Sequence, residues 1–117
     1  MENDFFIDVI LFMPYNVDCY IQAPDLDIDL IRNLIVSCNI PYYERVKLTP
    51  NSKAQIINLE SQFQISQWIQ SMEIRKDSEL LFEGYDSVNY GLFSKNITIP
   101  YWFKNKHIND FSISHNW

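Results

Sequence analysis

Short hydrophobic runs alternate with segments of helical spacing along this chain, and this alternation limits its possible folds more than any other feature. The run 5–13 (FFIDVILFM) is apolar, β-branched and aromatic, which is typical of a strand. Residues 14–16 are typical of a turn, and the alternating polarity of 17–22 (VDCYIQ) predicts a second strand. The chain is therefore expected to begin with a strand, a turn and a strand.

Two segments have the periodicity of an amphipathic helix. Apolar residues at positions 28, 31, 34, 35 and 38 predict a helix over about 27–38, which ends at Asn39 before Pro41. A second helix is predicted over 61–72, with Ser61 as its cap.

The segment between these two helices is ambiguous. Residues 42–49 predict a strand and residues 50–52 a turn. Residues 54–60 fit either a further strand or a short helix, and the sequence leaves both open.

The C-terminal third predicts a hairpin followed by a short helix. Two β-rich runs surround the turn at residues 85–87, and Pro100 ends the second run and begins a helix over 100–108. Residues 109–117 form either an edge strand or a loosely held tail. The mixture predicts one α+β domain over 1–117, with two or three helices packed on one face of a largely antiparallel sheet.

Glycine and cysteine content excludes several classes of protein. Gly84 and Gly91 are the only glycines, and Gly-rich phosphate loops need several at fixed spacing, so nucleotide enzymes of those classes are excluded. Cys19 and Cys38 are too far apart for a CxxC motif, and we expect both to be reduced, buried thiols.

The first residues favour the cytoplasm and argue against a membrane span. Acidic side chains occur where a secretory signal needs positive charge, and Asp8 interrupts the apolar run well short of the ~20 residues of a membrane helix. We therefore expect a soluble cytoplasmic protein that does not bind a membrane.

Three aspartates at alternate positions, Asp25, Asp27 and Asp29, raise the question of a metal loop. An EF-hand loop counted from Asp25 needs a glycine at position six and a glutamate at position twelve, where this chain has Leu30 and Val36. A catalytic acid cluster is also disfavoured, because carboxylates at one helix start point away from one another. One or two of these aspartates are explained as helix caps, and the third is surplus.

Acidic residues are concentrated in two blocks. Residues 1–31 contain seven acids and no lysine or arginine, and residues 73–86 contain five acids against Arg75 and Lys76. The formal net charge of −6 disfavours direct binding to nucleic acid, which depends on basic side chains. It favours a basic protein partner, because an acidic surface accelerates association with a cationic one.

No residue pattern indicates catalysis. His107 and His115 are the only histidines, and their spacing matches neither HxH nor HExxH metal motifs. A pairing of either histidine with Cys19 or Cys38 is possible in three dimensions but has no support in the spacing. We therefore predict no enzyme activity, no cofactor and no metal site.

A small, acidic, aromatic-rich chain without catalytic motifs resembles the bacterial immunity proteins that neutralise a cognate toxin, including those of contact-dependent growth inhibition systems. The resemblance is one of class, and no residue is carried over by position. It implies a cytoplasmic inhibitor that binds one toxin domain, often a basic nuclease, and blocks its active site or its access to a cofactor.

The leading hypothesis is therefore inhibition by tight binding through an acidic surface, with tyrosines as anchors; Phe93 is a further aromatic candidate. Two alternatives remain: a phage-type inhibitor or nucleic-acid mimic acting on a host protein, and a small enzyme using His107 and His115. The candidate partner-binding residues are Asp25, Asp27, Asp29, Glu79, Glu83, Tyr85, Asp86 and Tyr90.

Overall fold

One seven-stranded β-sheet organises the chain in the computed structural model, which describes all residues from 1 to 117. Every neighbouring pair of strands is antiparallel except the last pair, which is parallel. The order across the sheet is β2-β3-β1-β4-β5-β6-β7. In chain order, the strands are β1 Val17–Gln22, β2 Ile35–Val36, β3 Glu44–Leu48, β4 Ser71–Lys76, β5 Glu79–Tyr85, β6 Tyr90–Phe93 and β7 Phe111–Ile113.

Three α-helices and two single turns of 3₁₀-helix complete the fold. The helices are α1 Asp4–Phe12, α2 Pro50–Phe63 and α3 Tyr101–Lys106, and the 3₁₀ turns are Ile28–Leu30 and Ile65–Trp68. The predicted α+β fold with a largely antiparallel sheet is confirmed.

The two faces of the sheet differ in what lies against them. On β1, Val17, Cys19 and Ile21 are buried, while the alternate residues from Asp18 to Gln22 are partly exposed. The buried side is the covered face, against which the helices pack to form one cluster of 24 buried hydrophobic residues. The other side, which carries the alternate residues, is the open face.

The two glycines both make room for the same aromatic ring on the covered face. Gly84 of β5 and Gly91 of β6 stand opposite each other in the register, and the ring of Phe82 lies over both. A methyl group at Gly91 would overlap that ring, so the glycines are explained by close packing. Phe82 is fully buried and contacts Phe93 with 4.7 Å between ring centroids.

The prediction of a strand over 5–13 was wrong, because this segment contains helix α1. Asn3 caps the helix by accepting a hydrogen bond from the Phe6 backbone N–H at 3.0 Å. Phe5, Phe6 and Val9 are buried, which is helical spacing hidden within a continuous apolar run. Such a run does not distinguish a strand from a buried helix by periodicity alone.

The predicted helix over 27–38 was also wrong. The segment forms the 3₁₀ turn Ile28–Leu30, further turns, and the two-residue strand β2. Backbone N–H groups of Leu34 and Ile35 both donate to the Ile31 carbonyl, at 2.9 and 3.2 Å. Successive turns repeat at about the same interval as a helix, so Ile31 and Leu34 are buried, and Ile28, Ile35 and Cys38 partly buried, without a helix.

The ambiguous central segment is resolved in favour of a helix, and the helix predicted over 61–72 is wrong. Thr49 and Ser52 form a capping box and Pro50 occupies the first turn, so α2 begins before the predicted start. Gln64 adopts a left-handed conformation that ends the helix. Ser61 therefore lies in the last turn of α2, and β4 begins at Ser71.

Six elements agree with the sequence predictions. Strands β1 and β3 lie within 17–22 and 42–49, and β5 and β6 form the predicted hairpin. Pro100 directly precedes α3 as its N-cap, and the tail forms the edge strand β7.

Candidate functional site

Residues from both acidic blocks meet at one end of the sheet. Asp25 follows the end of β1, and Asp86 follows the end of β5. The two aspartates line one depression of about 300 Å³, together with the side chains of Gln67, Trp68 and Gln70. They are 61 positions apart in sequence, so their convergence depends on the antiparallel order of the strands.

A second depression adjoins the first and adds two more acids. Glu2 and Asp4 line this space of about 410 Å³, which shares Gln67 and Ser87 with the first depression. No lysine or arginine lines either one. The two depressions together form the acidic cleft, defined by Glu2, Asp4, Asp25 and Asp86.

Asn3 and Glu60 position the start of α1 beside the cleft. The Asn3 side-chain amide donates to the carbonyls of Ser87 and Val88 at 2.9 and 3.0 Å, joining the helix to the β5–β6 turn. The buried Glu60 carboxylate accepts from the backbone N–H of Asn3 and from Ser66, each at 2.8 Å. A carboxylate satisfied by three donors holds these segments together.

The other two aspartates of the first block have local partners. Asp27 caps the 3₁₀ turn by accepting from the Asp29 backbone N–H at 3.1 Å. Asp29 pairs with Arg32, whose Nε and Nη2 donate to the same carboxylate oxygen at 2.9 and 2.5 Å. Asp25, the surplus aspartate of the sequence pattern, is the one that lines the cleft.

Three of the predicted contact residues lie together on the open face. Tyr85 and Tyr90 are exposed and stand opposite each other on β5 and β6, and the Tyr85 hydroxyl donates to Glu83 on the same face. Burial, the hydrogen bond to Glu83 and the negative charges of Glu83 and Glu73 together raise the pKa of Tyr85 to about 12.

One predicted contact residue, Glu79, and one predicted aromatic anchor, Phe93, lie away from this group. Glu79 lies at the opposite end of β5 from Tyr85, about 20 Å away at ~3.3 Å per residue. Phe93 is fully buried on the covered face and belongs to the core, so it cannot serve as a surface anchor.

The histidines and cysteines do not form a common cluster of donors. His107 is buried, with Nε2 at 2.7 Å from an Asp8 carboxylate oxygen and Nδ1 at 3.4 Å from Asp110. Burial raises the pKa of the Cys19 thiol to about 12, with a further contribution from Asp18, which opposes its use as a nucleophile. Cys38 is half-buried rather than fully buried.

Sequence reasoning missed most of the cleft lining. Glu2 and Asp4 belong to the first acidic block, so charge counting contained a signal for them. Gln67, Trp68 and Gln70 had no such signal, because they fell within a helix that the structure replaces by the 3₁₀ turn Ile65–Trp68 and the start of β4.

Compared with known proteins, the chain matches no family model, no curated protein and no solved structure. Among its helices, none combines the length and the apolar character needed to cross a bilayer.

Proposed function

We propose that this protein is an inhibitor that binds a basic partner protein through the acidic cleft, acting in the cytoplasm as the immunity protein of a cognate toxin. The observation that carries the proposal is the meeting of Asp25 and Asp86 in one depression, next to Glu2 and Asp4, with no lysine or arginine among the lining residues. Four carboxylates in adjoining depressions that no lysine or arginine lines attract a cationic surface and accelerate its association.

Uncharged groups in and beside the cleft supply the other contacts that a protein interface needs. Trp68 is 43% exposed at the cleft, and Tyr85 and Tyr90 are 37% and 42% exposed on the adjoining part of the open face. Tryptophan and tyrosine are enriched among the residues that dominate binding energy. Gln67 and Gln70 provide amide donors and acceptors for a polar rim.

The first experiment is co-expression with the product of the adjacent gene. We expect that product alone to arrest growth, and the two proteins together to co-purify as a stoichiometric complex that allows growth. A neighbour that neither binds nor harms the cell would contradict the immunity proposal.

A matched pair of variants then tests the cleft. Asp25→Asn with Asp86→Asn removes two charges from the cleft, and Asp77→Asn with Glu79→Gln removes two at the opposite end of β5. Each pair contains one aspartate with positive φ, where asparagine is also tolerated, so backbone effects are matched. We expect the cleft pair to slow association about tenfold at low salt and the control pair to leave it nearly unchanged.

Competition with DNA separates this proposal from a nucleic-acid mimic. A cognate inhibitor leaves unrelated basic DNA-binding proteins on their DNA, because its fit depends on one partner. Displacement of DNA from several unrelated proteins would replace the immunity proposal with mimicry of phosphates.

A further inference from the structure

Strand β7 presents an unpaired hydrogen-bonding edge at one side of the sheet. The bonds from Gly91 N–H to the Asp110 carbonyl (3.1 Å) and from Ser114 N–H to the Phe93 carbonyl (2.8 Å) show which residues of this strand face β6. Alternate residues of a parallel strand direct their backbone groups to opposite sides, so Phe111 and Ile113 direct theirs outwards. An extended chain can pair with that edge.

An apolar groove lies where the core-facing side chains of an eighth strand would be placed. Phe111 and Ile113 line one wall of this space of about 490 Å³, and Ile97, Ile99 and Ile108 contribute to the remainder. Phe111 packs against Phe93 and Phe103 of the core, with ring centroids 5.5 and 5.6 Å apart. The groove is therefore a continuation of the covered face beyond its last strand, and 72% of the Ile108 surface is exposed there.

Two lysines give the groove a charge opposite to that of the whole chain. Lys95 and Lys104 both line it, and neither takes part in an ion pair, whereas Lys106 of the same helix pairs with Asp8 at 3.0 Å. The net charge of the chain is −6, so two unpaired cations beside an open edge stand out. They favour an acidic occupant.

We propose that β7 is a receptor strand for an extended segment of another protein, whose groove-facing side chains, at every second position, include both apolar residues and carboxylates. The backbone of the segment pairs with Phe111 and Ile113, its apolar side chains enter the groove, and its carboxylates reach Lys95 and Lys104. A second copy of this chain fits less well, because two copies joined along β7 would bring four of these lysines together. This interface is separate from the acidic cleft. It binds an acidic segment, whereas the cleft binds a basic protein.

The test uses a short synthetic peptide with blocked ends, in which valine and glutamate both occur at the groove-facing alternate positions and threonine occupies the positions between them. Its addition to the isotopically labelled protein is expected to shift the backbone amide resonances of Phe111 and Ile113 more than those at Asp25 and Asp86. Amide exchange in the free protein supplies an internal check, since Phe111 and Ile113 should exchange quickly while Ser112 and Ser114 are protected.

Two modified peptides separate backbone pairing from charge without altering the protein. N-methylation at alternate residues removes the donors that strand pairing needs, and we expect binding about tenfold weaker. Replacement of glutamate by lysine is expected to weaken binding by a similar factor, and added salt should weaken only the glutamate peptide.

Variants of the protein provide the matched test. Ile113→Pro removes an outward N–H that makes no bond to β6, whereas Ile113→Val retains it and serves as the control. Lys95→Glu with Lys104→Glu reverses the charge and leaves the strand edge intact. We expect the proline and charge-reversal variants to lose binding and the valine variant to keep it.

Three outcomes would overturn the proposal. The first is the absence of shifts at Phe111 and Ile113 up to the solubility limit of the peptide. The second is equal binding by the N-methylated peptide. The third is a shift of these amides on raising the protein concentration alone, together with a dimer in light scattering, which would assign the edge to a second copy.

Discussion

The covered and open faces of the sheet are built from alternate residues of the same strands, yet they differ in the burial and the charge of their side chains. On β4, Met72 and Ile74 are fully buried, while Glu73 and Arg75 between and beside them remain partly exposed and pair with each other at 2.6 Å. A one-residue slip in register would exchange the two sets, which would bury the charges and expose the core. Packing of the covered face therefore determines the register for both.

The open face retains a chemical variety that the covered face cannot have. Asp18 lies between Arg45 and Lys47, at 3.7 and 3.6 Å, and Tyr20 is the neighbour of Arg45 and Glu73 in the register. The Asp18 side chain is only 14% exposed and depends on these two cations, whereas the more exposed side chains of this face tolerate change. The difference suggests that stability resides in one face and that the other face and its ends are available for recognition.

The largest effect that we expect comes from adjacent residues of one strand. Ile74→Ala should lower the free energy of unfolding by about 2–4 kcal/mol, because it removes a fully buried side chain and leaves a cavity. Glu73→Ala, one residue away on the open face, should cost less than about 1 kcal/mol. Urea unfolding of both variants measures the difference, and equal losses would contradict the assignment of stability to the covered face.

A smaller effect is expected from adding one carbon to each face. Gly91→Ala places a methyl group against the Phe82 ring and should destabilise the protein by about 1–3 kcal/mol. The control, Ser112→Thr, adds a methyl group on the open side of β7 and can keep the hydroxyl contact to Tyr90 at 2.8 Å, so a change within about 0.5 kcal/mol is expected. Thermal unfolding compares the two, and an unaltered Gly91→Ala protein would show that the Phe82 ring can move aside.

The smallest effect is electrostatic and concerns the open face alone. The raised pKa of Tyr85, about 12, means that the folded protein holds this phenolic proton more tightly than the unfolded chain does. The resulting stability is present below the ordinary tyrosine pKa of about 10 and is lost as the pH rises from there through the folded value.

Glu83→Gln tests the origin of that shift. It removes a negative charge beside the phenol, so we expect the pKa of Tyr85 to fall towards its ordinary value, as followed by phenolate absorbance in an alkaline titration. Asp77→Asn, in the turn at the far end of β5, is the control and should leave the titration unchanged. An unshifted pKa in Glu83→Gln would assign the effect to burial and to the charge of Glu73.

Sequence patterns were reliable where local chemistry decides the structure. The hairpin of β5 and β6, strand β3 and the start of α3 at Pro100 follow from turn residues and short-range alternation. Residues 5–13 were assigned to the wrong element because a largely buried helix and a buried strand share an apolar composition. Asn3 and Thr49 are residue types that cap helices, and they are the N-caps of α1 and α2. Such a residue predicts a helix start only when the segment after it has already been identified as helical.

The sequence alone determined the charge of −6, its concentration in two blocks, the α+β class and the absence of Gly-rich phosphate loops, because these depend on composition and local pattern. Tertiary structure alone decided that Asp25 and Asp86 share a cleft and that Phe93 is core. Strand order and helix docking join residues far apart in sequence, and no local spacing encodes such contacts.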